Sequence, residues 1–494
     1  MDDLLPKLLS FPPHPPPPNG ISDLQYDEGI KTQISTIKNI PDSKLLQQTS
    51  GGENVLDIIN PALNTVPYAA VLIAHIKAMH TGNKSIDLDT IWEKILGFLG
   101  NFDPRQIRYL GSELSHIIDS TVSISRRHNQ AATAIPTIRD ALLRLDPTGT
   151  VLTSKHIVLM KMALESRIYV ELVPFLEKSI LYIPGTSSQP KPKYLCDMSL
   201  PPTAFITPGN NGFSAKIKHQ DVLEYLLLNG MVCIGIRNWK KALEYLEMAV
   251  TYPAKDNSVS KIMVAAYQKW VLVGLLLTGK PLSLPKITSS GAAKLYHILA
   301  KPYESVAQIF EGGSASRLKS EAEAGKNIWH NDCNSGLIFF VLAAYQKFQI
   351  RNLAKVYSKI SIPEVHNLTM SAETGAKLPN VQACETLVRS MIAEGSLHAS
   401  LTSFPDQPPV LAFSVHGPVL TEKQMQMELA TSTIRIKALT QEIKNTDHML
   451  THEKEYIKYA QKQKKNTKSM QDQGIAVTDM EWNGVEDEDL MGVF

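Results

Sequence analysis

Apolar side chains recur at helical spacing along most of this chain. Tyr68-Ala-Ala-Val-Leu-Ile-Ala-His-Ile-Lys77, Ile91 to Leu99, Ile107 to Ile118 and Ser154 to Glu165 each place apolar residues three or four apart, which predicts amphipathic helices from about Asp57 to Leu181. Short breaks fall at Asn101–Pro104 and Asp146–Gly149. Pro184 to Gly212 is rich in Pro, Ser, Gly and Asn and reads as a long connection. Helices resume from Lys218 to Leu277 and continue, past breaks at Gly279–Pro281 and Gly312–Gly313, to about Lys359. The alternation that marks strands is almost absent before residue 395.

Two stretches align without a gap. Arg167–Ile180, read as one helix, pairs with Arg237–Val250, matching Tyr169 with Trp239, Phe175 with Tyr245, Leu176 with Leu246 and Glu177 with Glu247. In each copy a preceding helix ends just before the arginine, so the unit is a helix–turn–helix that resembles a tetratricopeptide-like repeat. Tyr169, Phe175, Trp239 and Tyr245 are its expected core. One such unit cannot bury its apolar face alone; stacked neighbours complete it.

After Ile360 the pattern changes. Ser361 is placed to cap a short helix with Pro363 in its first turn, Thr369–Pro379 is a loop, and Val381–Glu394 is a second helix closed by Gly395. Ser396–Leu401 and Val410–Phe413, separated by Pro405–Pro409, are short enough for a hairpin. Helix, helix, hairpin is the order of a winged helix. Val410–Phe413 is expected to offer an open edge to a strand of another chain, through Leu411 and Phe413.

A last helix is predicted from Thr421 to Lys465. At 1.5 Å per residue it is roughly 65 Å long, too long to lie along one small domain. Leu429, Ile436, Ile443, Leu450 and Ile457 recur every seven residues, while the companion positions Met425, Ser432, Leu439, Thr446, Glu453 and Ala460 are mixed. A seven-residue apolar stripe marks helix-to-helix packing, so Leu429, Ile436, Leu439, Ile443, Leu450 and Ile457 are the expected partner-binding residues.

Composition narrows the function. The 494 residues are 43% hydrophobic and 20% charged with a net charge of +2, which suits a soluble globular protein and gives no global reason to bind nucleic acid or anionic lipid. Cys196, Cys233, Cys333 and Cys384 form no Cys-x-x-Cys pair, which points to a reducing compartment with buried, inert thiols. The start is acidic and broken by Pro6, unlike a secretory signal, and Gln268 and Lys269 interrupt the apolar stretch Val264–Leu277, so no membrane segment is expected. Residues 1–20, with Pro15–Pro18, read as a disordered lead-in, and the proline-rich N-terminal segment extends to about residue 50.

Catalytic signals are weak. Gly274-Leu-Leu-Leu-Thr-Gly-Lys280 has phosphate-loop spacing, but Pro281 stands where Ser or Thr must hold magnesium. His448 and His452 share a helix face without the glutamate of a metalloprotease, and no His-x-His pair occurs. No metal, no cofactor and no catalytic residue is expected. The second helix of the winged unit carries Glu385, Arg389 and Glu394, too few cations to neutralise phosphates, and the cluster Lys454, Lys458, Lys462, Lys464, Lys465 and Lys468 reads as a solvated face.

Helical repeats, a winged helix and a long terminal helix in that order resemble the PCI-domain proteins, scaffold subunits of the proteasome lid, the COP-9 signalosome and translation initiation factor 3. The likeness sharpens in Asp221–Leu226, Gly230–Trp239, Ala242–Pro253, Ala266–Lys280, Leu284–Lys286 and Met391–Leu401, where the chain resembles the signalosome's subunit 3 family over about residues 150–415. That resemblance implies an all-α dominated fold: an N-terminal lead-in (1–50), helical repeats (51–215), a PCI domain (216–416, winged helix from about 360), a bundle helix (417–466) and an acidic disordered tail (467–494). It also implies a non-catalytic scaffold in a complex that removes a ubiquitin-like modifier from cullins, seated between subunits 1 and 8, in cytoplasm and nucleus. A proteasome-lid or initiation-factor subunit and a nucleic-acid adaptor are the alternatives.

Overall fold

A computed structural model describes residues 2–14, 20–81, 87–184, 192–207, 211–253, 258–312, 314–402, 407–414, 421–451, 456–458 and 461–462. The longer helices are α1 (Asp23–Lys38), α2 (Thr65–His80), α3 (Leu88–Asn101), α4 (Gly111–His128), α5 (Ala131–Leu145), α6 (Ser154–Ser166), α7 (His219–Ile236), α8 (Trp239–Val250), α9 (Lys261–Thr278), α10 (Ser290–Leu299), α11 (Lys301–Gly312), α12 (Ala315–Ala324) and α13 (Ser335–Leu353). Strand β1 (Lys359–Ser361), helices α14 (Ile362–Leu368) and α15 (Val381–Ala393), strands β2 (Ala399–Thr402) and β3 (Val410–Phe413), and helix α16 (Glu422–Thr451) follow.

The internal repeat is a physical one. α6 ends at Arg167 and α7 at Arg237, each arginine in the left-handed region with φ of +58° and +64°. In both copies the next amide reaches back to the closing turn: Ile168 N–H donates to Ala163 O at 3.0 Å, and Asn238 N–H to Cys233 O at 2.9 Å. Beyond the turn, Leu172, Phe175 and Leu176 are buried, as are Ala242, Tyr245 and Leu246 at the matching positions. The first copy departs from expectation. Arg167–Ile180 is not one helix but a 3₁₀ turn (Val170–Leu172) and one α-turn (Val173–Leu176); Pro174 lies in the first turn of the latter, where its missing N–H is tolerated, and has no N–H to continue a helix arriving from Val170.

Stacking joins the copies. The Tyr245 hydroxyl donates to Leu176 O at 3.1 Å. Tyr169 is half-buried against Gly235, where a Cβ would come within 2.6 Å of its ring. One unit further on, Trp239 is half-buried and meets Phe340 of α13 edge-on at 5.9 Å. His156 of α6 is buried between Phe175 (4.5 Å) and Tyr225 (6.1 Å).

The N-terminal segment corrects the expected lead-in. Ser22 and Gln25 form a capping box, α1 buries Tyr26 and Ile30, and Leu8 is fully buried. Phe11 packs edge-on to Tyr26 at 5.1 Å. Gln33 Nε2 donates to the carbonyls of Leu8 (2.8 Å) and Phe11 (2.7 Å), which holds the stretch before the proline run. Proline content argues for disorder there, but Leu8 and Phe11 suffice to anchor the described stretch before the run. Pro15–Pro18 lie outside the described residues.

The described residues 192–207 of the expected linker at Pro184–Gly212 are also packed. Cys196, Phe205 and Ile206 are buried, Arg105 and Arg108 donate to Cys196 O and Leu195 O, and the Arg108 guanidinium lies 4.1 Å from the centre of the Phe205 ring. One buried apolar cluster therefore runs from Leu8 to Ala372, with no break at 215/216. A second, smaller cluster gathers Ile360, Ile362, Val365, Cys384, Val388, Met391, Leu397, Leu411 and Phe413. Helix α13 spans both: Leu337, Ile338, Val341 and Tyr345 belong to the first, Ile350 to the second.

Helix α9 is long and apolar enough to cross a membrane by length and composition, yet 61% of it is buried among the other helices. Lys269 Nζ donates to Asn334 Oδ1 (2.8 Å), Asn334 Nδ2 to the Tyr303 hydroxyl (2.8 Å), and that hydroxyl to Asp332 Oδ2 (2.7 Å). This buried chain ties α9 and α11 to the start of α13 and satisfies groups that would be costly alone. The phosphate-loop match dissolves here, since Gly274 lies inside α9 against Leu282 and Gly279 closes the helix at φ +73°.

Two predictions follow from the packing. Gly230 of α7 faces Leu246 so closely that a Cβ would come within 2.8 Å. Gly230→Leu should cost about 1–3 kcal/mol by overpacking, whereas Gly97→Ala in α3, with open space around it, should gain about 0.5–1 kcal/mol; thermal melts of the two variants compare them. Burial holds His156 down at about 3, and His75 is lowered for the same reason. Thr153 N–H donates to His156 Nδ1 at 3.2 Å, which suits the neutral ring. Both rings are neutral when folded, so their contribution is complete above about pH 6.5 and is lost as pH falls, because the unfolded chain then binds more protons. The melting temperature should fall steadily from pH 6.5 to 4.5, and His156→Gln should make that slope shallower by up to about 1.4 kcal/mol per pH unit.

Candidate subunit interface

Helix α16 starts with a reciprocal cap. Thr421 N–H donates to Gln424 Oε1 at 3.0 Å, and Gln424 N–H to Thr421 Oγ1 at 3.4 Å. Beyond that cap every residue through Thr440 is exposed. Leu429, Ile436 and Ile443 are each more than 60% exposed, Leu439 is nearly half exposed, and Ile457 is also exposed. The Leu450 side chain lies outside the described residues, as do those of His448 and His452, all of the acidic tail, and Lys454, Lys464, Lys465 and Lys468 of the basic cluster.

The bare surface is wider than the seven-residue seam. Met427 (63% exposed) and Ile434 (69%) stand two residues before Leu429 and Ile436, on another side of the helix. They fall outside the expected seam, although they too are spaced by seven. Apolar side chains on more than one side suit a helix surrounded by several others rather than one half of a two-stranded pair.

The expected hairpin interface is corrected. The three strands are antiparallel in the order β1-β3-β2, so β3 is central and has no open edge. Leu411 pairs with Ile360 on one side and Leu401 on the other. It is fully buried and Phe413 nearly so, both in the second apolar cluster. Sequence distance hid the pairing, because β1 lies some fifty residues before β3. The strands with an outer side are β1 and β2, where Lys359, Ser400 and Thr402 are exposed.

Helix α15 has little to offer phosphate. Arg389 pairs with Glu385 at 2.6 Å, and Glu394 receives Lys347 at 3.1 Å. Burial pushes the thiols of Cys233 and Cys384 up to about 12 and about 11, where they are poor nucleophiles. Cys196 is buried as well, but Cys333 is exposed in a tight turn, which departs from the expected buried set. Among the described residues, no group of three or more His, Cys, Asp or Glu could hold a metal ion.

Comparison with known proteins matches residues 30–291 to the family model for COP9 signalosome complex subunit 3, N-terminal helical repeats. The COP9 signalosome complex subunit 3 of Neurospora crassa is 34% identical over 99% of this chain and 99% of its own length. The chain belongs to the COP9 signalosome subunit 3 family. The COP9 signalosome complex subunit 3 of Emericella nidulans, at 32% identity over 100% of this chain and 99% of its own, extends the match across the same elements. The subunit 3 repeat region runs from the middle of α1 past α9 to the start of α10 without stopping at residue 215, in agreement with the single continuous core.

The two surfaces should respond oppositely to substitution. Ile436→Asp with Ile443→Asp should leave the melting temperature almost unchanged, within ~0.5 kcal/mol. The same pair should weaken incorporation into an assembly by at least roughly 100-fold, since two aliphatic anchors worth about 1.5–3 kcal/mol each are removed. Leu411→Ala should instead destabilise the small sheet by about 2–5 kcal/mol. Pull-down stoichiometry beside melting curves separates the cases; normal incorporation of the aspartate pair would count against α16 as the interface.

Proposed function

We propose that this chain is a non-catalytic scaffold subunit of the COP9 signalosome that supports removal of a ubiquitin-like modifier from cullins and so regulates cullin-RING ubiquitin ligases. The observation that carries the reading is α16, a helix whose apolar side chains are exposed on more than one side in a chain matched end to end by subunit 3 relatives. Lone helices in water are marginal even with good propensity, and packing against other helices supplies their order. The helix then joins a bundle contributed by several subunits.

The β1-α14-α15-β2-β3 unit takes the part of the PCI winged helix, and the outer sides of β1 and β2 are the edges through which it pairs with neighbours, subunits 1 and 8, in an open ring. Catalysis belongs to another subunit, and the assembly works in cytoplasm and nucleus. The paired charges of α15 disfavour the nucleic-acid adaptor.

Native mass spectrometry of the tagged chain with its companions tests the assignment. The expected result is one copy per signalosome, with zinc and isopeptidase activity in the assembly and neither in the chain purified alone. One equivalent of tightly held zinc in the isolated chain, or a companion set from the proteasome lid or initiation factor 3, would overturn it.

A further inference from the structure

Every non-glycine residue with a left-handed backbone among the described residues occupies one kind of turn. Asn129, Arg167, Arg237 and Cys333 have φ between +54° and +64°. In each case the next amide donates five residues back: Gln130 to Ser125 O (3.0 Å), Ile168 to Ala163 O (3.0 Å), Asn238 to Cys233 O (2.9 Å) and Asn334 to Trp329 O (2.8 Å). The stack therefore has four turns of one build, two more than the aligned sequence copies reveal. An L side chain is strained in that conformation, and glycine or asparagine relieves it. Two of the four positions nevertheless hold arginine.

Local bonding does not explain the choice. Both arginines are exposed, and among the described residues neither guanidinium meets a carboxylate or returns to a carbonyl of its own helix. Arg237 instead lies over the Phe340 ring, its Cζ 5.2 Å from the centre. Trp239 meets the same ring edge-on at 5.9 Å, and Phe339 stands 6.3 Å from it. The Tyr169 ring rests on Gly235, which sets the Arg167 turn beside the Arg237 turn at one end of α6 and α7. Val170 and Phe339, next to these rings in the chain, are each more than half exposed. Backbone strain kept where no local contact needs it points to a role at the surface.

We propose that this strip of turns binds an extended acidic peptide segment of a partner chain, with carboxylates on Arg167 and Arg237 and an apolar side chain between them against Tyr169 and Phe339. Packed helices stand about 8–10 Å apart, which sets the separation of the two cations. A polyproline-II segment advances about 3.1 Å per residue and repeats its facing every third residue, so acids at i and i+3 match that separation. Each guanidinium can take a carboxylate through two parallel N–H bonds, and the rings beside it accept the apolar side chain. The strip is separate from α16, and its role does not rest on the family assignment.

The test uses the full chain and a fluorescein-labelled peptide, Ser-Glu-Phe-Ser-Glu-Phe-Ser, followed by fluorescence anisotropy. Saturable one-to-one binding is expected, at least about five-fold weaker in 1 M salt. Arg167→Gly with Arg237→Gly should melt close to the unaltered chain, because glycine relieves both turns, yet bind the peptide at least about ten-fold more weakly. Phe339→Ser should weaken binding at least about three-fold. Charge exchange is the second readout: Arg167→Glu with Arg237→Glu should bind the peptide carrying Lys in place of both Glu at least about ten-fold more tightly than the unaltered chain does. No saturable binding, undiminished affinity in the glycine variant, failure of the charge exchange, or a second copy of the chain on the strip, seen as dimerisation that the peptide displaces, would each overturn the proposal.

Discussion

Everything in the larger body depends on one constraint: a helix–turn–helix pair has too little apolar surface facing itself to be stable, so each pair must hand half of its core to the next. The aromatic residues that follow the left-handed arginines make that transfer visible. Tyr169 lies on Gly235 of the following pair, Trp239 on Phe340 of α13, and the Tyr245 hydroxyl bonds back to Leu176 O. Each contact reaches across a join. Removal of one therefore loosens two units, and the continuous cluster from Leu8 to Ala372 is the sum of such joins.

Helix α13 converts that stack into a platform. Its first half closes the main core, anchored by the Lys269–Asn334–Tyr303–Asp332 chain, and its far end places Ile350 in the core of the small sheet. The sheet is thus fixed to the repeats by a shared helix rather than by a flexible connection. Its central strand is consumed internally, with Leu411 between Ile360 and Leu401, leaving only the flanks of β1 and β2 for other chains.

Local signals were legible wherever chemistry and spacing act over a few residues. The Ser361 cap, the stop at Gly395, the helix from Val381 and the stripe on α16 were all readable, because capping and periodicity are set by near neighbours. The misreadings lie where distant segments decide. The N-terminal stretch looked disordered from its prolines, but Leu8, Phe11 and Tyr26 find a distant core. Pro184–Gly212 looked like a linker, yet Arg105 and Arg108 gather its carbonyls. β3 looked like an edge because β1 enters the sheet from far upstream.

The contrast between the two cores and α16 is what separates folding from assembly in this chain. Leu411, Phe413 and the repeat residues Phe175 and Tyr245 are already satisfied inside, so their loss is felt as instability. Leu429, Ile434, Ile436 and Ile443 contribute little to the stability of the isolated chain, because most of their surface stays exposed when it is folded. Burial against other helices is the one change that converts those side chains into stabilisation, at about 25 cal/mol per Å² removed from water. On the proposed reading that surface serves association, while the body beneath it folds on its own contacts.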